Sequence, residues 1–166
     1  MTGAALAWAS FAILLLVAAA SDIRQFRIPN MLPILLVGGF VLGAVAGVPG
    51  LDPIEGLLAG ALMMAVGFVL FLLRMMGGGD VKLMAAASLW LGWGGLSEQV
   101  VFVTVIGGIF ALGLAAVRQL LARRPVALGS GPTHLPAVLQ NGQPVPYGVA
   151  IALGSLLAAA LPLLGD

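Results

Sequence analysis

FAILLLVAAA, Phe11 to Ala20, is hydrocarbon on every side. A strand of a membrane barrel would alternate apolar and polar residues, and a helix on a soluble domain would keep a polar face. A run with neither pattern belongs inside a lipid bilayer, where a helix satisfies every backbone hydrogen bond within one segment. The rest of the chain agrees, since 61% of its 166 residues are hydrophobic and 8% are charged. The mean hydropathy of +1.17 describes a surface that no soluble domain would present to water. The expected fold class is therefore an all-α membrane protein.

Outward from that stretch, apolar runs between polar or Gly/Pro breaks mark six spans, at about 4–21, 31–48, 54–73, 80–93, 97–121 and 146–164. At about 20 residues per span, a bundle of six transmembrane helices uses most of the chain. Residues 1–166 then form a single polytopic domain with no room for a large extramembrane one. The first run has no basic residues ahead of it and is expected to remain as a helix rather than be cleaved as a signal. Arg24 and Arg27 fall between the first two spans, Arg74 and Lys82 around the third and fourth, and Arg118, Arg123 and Arg124 between the last two. The other connections carry Asp52, Glu55, Glu98 and Asp166 but no basic residue. By the positive-inside rule the basic connections are cytoplasmic and both termini lie on the non-cytoplasmic side. The connection over roughly 122–145, rich in Pro and Gly, is expected to be irregular. Gly38, Gly39, Gly43 and Gly47 in the second span suggest close helix packing.

The absence of cysteine excludes disulfides, thiolate metal sites and a cysteine nucleophile. His134 is the sole histidine, set in the Pro/Gly-rich connection, and makes no metal site with distant carboxylates. No metal, cofactor or nucleic-acid partner is expected. Four of the six acids lie at external loop ends, which leaves Asp22 and Asp80. Both stand at cytoplasmic ends of spans, so a bundle can bring them together at one depth. If Trp93 marks the far interface, the run from Asp80 covers only about 21 Å of a hydrocarbon layer about 30 Å thick, which places Asp80 below the cytoplasmic surface.

A carboxylate deep in the bilayer costs about 2.5–3.5 kcal/mol on insertion scales and is a functional candidate by default. The structural alternative is that Asp80 caps the fourth span while Asp22 pairs with Arg24 or Arg27. Gly77, Gly78 and Gly79 favour function, because three glycines remove side-chain bulk beside the acid and allow another backbone, such as an extended substrate, to approach. Two carboxyls in one partly dehydrated site do not both ionise easily, so one keeps a proton. Such a pair can hydrolyse a peptide: the ionised acid takes a proton from attacking water, and the protonated acid polarises the carbonyl. The sequence does not assign which acid does which.

SDIRQFRIPN (Ser21–Asn30), GGGDVKLMAAASLWLGW (Gly77–Trp93) and VPYGVAIALG (Val145–Gly154) together resemble the prepilin leader peptidases, membrane aspartyl proteases of the GxGD type. The likeness is to the short form found in tight-adherence (Flp) pilus systems. It implies that Asp22 and Asp80 are the two catalytic acids and that Gly77 and Gly79 are the glycines of GxGD. It also implies removal of a short basic leader from type IV pilin-like precursors on the cytoplasmic side of a bacterial inner membrane, just before the pilin's hydrophobic helix. Larger relatives carry a cysteine-containing domain that methylates the new N-terminus. This chain has neither that length nor those cysteines, so peptidase activity without methylation is expected. The partners implied are the precursor, the bilayer and pilus or secretion assembly components.

Other residues have weaker signals. Lys82 could tune Asp80 or orient a substrate carbonyl, or it could simply snorkel to the interface. Pro29 and Asn30 read as a helix-breaking and N-capping pair before the second span. Pro146, Tyr147 and Gly148 open the last span on the same side as the acids and could line a substrate groove, although an interfacial anchor explains Tyr147 equally well. The alternative function is a small proton- or cation-coupled transporter using Asp22 and Asp80, and a third reading is a structural subunit of a secretion complex.

Overall fold

The computed structural model describes residues 3–122, 139 and 145–164, all helical or connecting, with no strand among them. Six α-helices follow in order: α1 (Gly3–Gln25), α2 (Met31–Val45), α3 (Pro53–Leu72), α4 (Gly78–Leu91), α5 (Leu96–Ala122) and α6 (Gly148–Ala160), the last running into a 3-10 turn over Leu161–Leu164. The all-α bundle expected from the apolar runs is thus present. Arg123, Arg124, His134, Asp166 and nearly all of the long connection lie outside the described residues. The helices α1, α3 and α5 are long and apolar enough to cross a membrane. The remaining three have 15, 14 and 13 residues.

The short helices are explained by where they sit. α4 packs against α2, α3, α5 and α6, and α6 packs against α1, α4 and α5, so these two occupy the centre. Their buried faces are mainly small: Ala85, Ala86, Ala87 and Ser88 on α4, and Gly148, Ala150, Ala152, Gly154 and Ser155 on α6. Small residues let backbones approach closely, which is how helices associate where lipid supplies no hydrophobic drive. On α3 the facing positions are Gly56, Gly60 and Gly67. A Cβ at Gly60 would stand 2.6 Å from Leu89 Cδ2, and one at Gly67 would stand 2.7 Å from Val81 Cγ1.

Among the glycines expected to pack α2 closely, only Gly39 does so against another helix, beneath the Trp90 ring at 3.0 Å. Gly43 faces Leu51 and Val48 of its own following loop, and Gly38 and Gly47 face open space. The expectation failed because α2 is a peripheral helix, with Leu42 and Val45 among its exposed side chains. At the opposite end from the acids, Trp8, Phe11 and Trp90 cluster with ring centroids 5.1–5.7 Å apart, Trp8 meeting the other two edge to face, and the Trp90 indole N–H donates to the Leu36 carbonyl at 2.8 Å.

Polar groups inside the bundle are paired, as lipid requires. Ser88 Oγ donates to Gln99 Oε1 at 2.6 Å, Gln99 Nε2 donates to Ser155 Oγ at 3.0 Å, and all three residues are fully buried. This cluster ties α5 to α4 and α6. Asp52 caps α3, accepting from the N–H groups of Ile54 and Glu55 at 2.8 and 2.9 Å, with Pro53 opening the helix. Asp52 thus has an ordinary structural role at a helix start.

Candidate active site

The first acid is set by the last turn of α1. The apolar run stops at Ala20, but the helix continues to Gln25. Asp22 therefore sits on a helix, not in a loop. The chain then turns at Phe26, whose N–H donates to the Asp22 carbonyl at 2.8 Å. Ser21 Oγ donates to the Arg27 carbonyl at 3.0 Å and folds the connection back against its own helix. Asp22 is 5% exposed, and one carboxylate oxygen accepts the Gly148 backbone N–H at 2.7 Å.

Gly148 is the first residue of α6, so the start of the last helix is aimed at the end of the first. The contact demands glycine, since a Cβ there would stand 2.8 Å from Asp22 Oδ2 and 2.9 Å from Ile28 Cδ1. Pro146 is fully buried beside it. Tyr147 is half-buried and packs over α5, where a Cβ at Gly107 would meet its ring at 2.8 Å.

The second acid comes from the first turn of α4. Gly77 occupies the N-cap position with extended dihedrals, and Asp80 lies three residues on, its carboxylate accepting the Gly77 backbone N–H. Part of the capping alternative therefore holds, but capping does not account for the neighbour, because Asp80 also lies within electrostatic reach of Asp22.

Three glycines precede Asp80, and each lacks a side chain for a different reason. A Cβ at Gly77 would stand 2.9 Å from Asp80 Oδ2. One at Gly78 would meet the Phe71 ring at 3.4 Å, and one at Gly79 would meet Ile28 Cβ at 3.3 Å, with the Ile28 backbone just behind. The backbone brought close at Gly79 is thus the protein's own α1–α2 connection. Ile28 reaches both Gly79 and Gly148 and so joins the three motifs. Asn30 does not cap α2 with its side chain. Its Oδ1 instead accepts from Lys82 Nζ at 3.1 Å, which ties that connection to α4.

Asp22, Asp80, Gly77 and Tyr147 line one cavity of about 1570 Å³. Its walls continue along α3 through Leu62 and Val66 and along α5 through Val100 and Thr104, reaching Trp93 at the other end. α3 and α5 flank it without sharing a packed face. Among the described residues no group of three or more His, Cys, Asp or Glu side chains is placed to hold a metal ion. Sequence reasoning missed Phe26, Ile28 and Gln99 as residues of interest. Gln99 offered a signal, being an uncharged polar residue inside the apolar start of the fifth span.

Fold and site together define a class: a polytopic helical membrane protein that holds two carboxylates, from two different helices, at one end of a large and mostly apolar cavity. The chain belongs to the type IV leader peptidase family, whose model matches residues 9–112, a stretch that contains both acids. It is 34% identical to the prepilin leader peptidase/N-methyltransferase of Bacillus subtilis over 155 residues, which is 89% of this chain and 52% of that protein. It is 33% identical to the protein of that name from Aeromonas salmonicida over 114 residues, 65% of this chain and 39% of the relative. The Escherichia coli relative of the same name is 32% identical over 142 residues, 82% of this chain and 54% of the relative. The chain thus spans about half the length, or less, of these curated relatives. No solved structure matches it.

Proposed function

We propose that the protein is an aspartyl endopeptidase that removes the basic leader from type IV pilin-like precursors of the Flp type, at the cytoplasmic face of a bacterial inner membrane, without N-methylation. The observation that carries this reading is the convergence of Asp22 and Asp80, from helices far apart in sequence, on one cavity. Membership of the leader peptidase family supports the substrate class. The lack of cysteines supports the restriction to one reaction, and the basic residues beside both acid motifs support the cytoplasmic side.

In the reaction, one carboxylate takes a proton from a water molecule as its oxygen adds to the scissile carbonyl. The other carboxyl, protonated, hydrogen-bonds the carbonyl oxygen as negative charge develops there. Collapse of the tetrahedral intermediate expels the amine, which receives its proton from the acid that took one from water. No covalent intermediate forms. Asp22 is oriented by Gly148 and Asp80 by Gly77, so both carboxyls are held before substrate arrives, and this preorganisation is what an active site supplies.

Co-expression with a Flp-type precursor tests the proposal on a gel. Wild type is expected to shorten the precursor, whereas Asp22→Asn and Asp80→Asn should each leave it uncleaved while remaining folded in the membrane. Appreciable cleavage by both variants would overturn the aspartyl mechanism.

A further inference from the structure

Among the described residues, left-handed backbone occurs at two that are not glycine, Phe26 (φ 51°) and Arg74 (φ 58°). Both terminate helices. Phe26 closes α1, and Arg74 closes α3, its N–H donating to the Phe71 carbonyl and the following Met75 N–H to the Leu70 carbonyl, both at 2.9 Å. Such helix ends favour glycine, because in this conformation a Cβ crowds the next carbonyl. The two large side chains carried on this disfavoured backbone both line the cavity that holds Asp22 and Asp80.

A topological role does not account for Arg74. Positive charge on this side could be carried at the adjoining Met75, with glycine at 74 relieving the backbone. The arginine is exposed, and among the described residues its guanidinium has no polar partner. Phe26 follows Asp22 by one helical turn and is half-buried against the same space.

We propose that Arg74 and Phe26 contact the substrate and set specificity at the acid pair, the guanidinium binding main-chain carbonyl oxygens of the peptide laid across Asp22 and Asp80 and the ring walling an apolar side chain beside the cut. The inference rests on the peptidase reading. A peptide extended for hydrolysis has carbonyls without internal partners, and the planar guanidinium offers five donors to them where an ammonium offers a compact point charge. Residues held in sparsely populated backbone conformations cluster at active sites and ligand clamps.

The test measures kcat, KM and thermal midpoint on purified protein with a purified Flp-type precursor. For Arg74→Gly the expected result is a KM raised about tenfold, kcat within about twofold, and a midpoint equal to or above that of wild type, because the strain is gone while binding is lost. Arg74→Lys should recover only part of the KM. Phe26→Gly should likewise raise KM more than it lowers kcat. A wild-type KM in both glycine variants would overturn the inference, as would losses of activity that merely follow a lowered midpoint. Folded wild-type protein that cleaves nothing, with Asp80→Asn as the matched control, would instead overturn the peptidase reading.

Discussion

Gly148 has no room for a methyl group, and the atom it would strike belongs to Asp22. Gly148→Ala is therefore expected to displace one carboxylate by a fraction of an ångström to an ångström and to lower the cleavage rate about 100-fold, since misplacement on that scale can cost as much. The midpoint of unfolding should change far less than the rate, and comparison of the two measurements checks it. At this scale the sequence pointed to Asp22 and Asp80 but could not supply their partners. The Gly148 N–H meets Asp22, and Ile28 meets Gly79 and Gly148, only because α6 and the α1–α2 connection fold together there, and no local pattern encodes that approach. Lys82 is a similar case, its contact with Asn30 being neither of the roles its position suggested.

At the scale of elements, the apolar runs located all six helices to within a few residues, because lipid forces a visible contrast between span and connection. The packing between spans was less legible. The stripe Gly56, Gly60, Gly67 that seats α3 on α4 looks no different in sequence from the glycines of α2, of which one alone packs against another helix. Identity tells how small a residue is, and only tertiary structure tells what faces it. The Ser88, Gln99, Ser155 cluster is the other element-level feature, about two helical turns from Asp80. Gln99→Leu removes the residue that bridges α4 and α6, and should lower stability by about 1 kcal/mol while leaving kcat close to wild type. Thermal unfolding in detergent beside a cleavage assay checks this, and an unchanged midpoint would mean that the cluster contributes nothing to holding α5.

For the whole molecule, the absence of cysteine makes topology directly measurable. Arg27→Cys and Pro49→Cys place single thiols at exposed positions in the first two connections. In intact cells an impermeant thiol reagent is expected to label position 49 and to reach position 27 only after the membrane is opened, the outcome that the distribution of basic residues predicts. Labelling of position 27 but not position 49 from outside would mean the inverse orientation, and labelling of both would mean that α2 does not separate them across the membrane.

The two innermost helices, α4 and α6, are also the two shortest, at 14 and 13 residues, whereas α1 has 23. A long helix answers a change in bilayer thickness by tilting. A short one such as α4, packed against four other helices, is held by its neighbours instead. Asp80 rides on the held kind and Asp22 on the kind the membrane can tilt, with the Gly148 N–H bracing Asp22 against that motion. The acid pair thus spans a boundary, one carboxyl carried by a helix that lipid can tilt and the other by a helix that its neighbours hold.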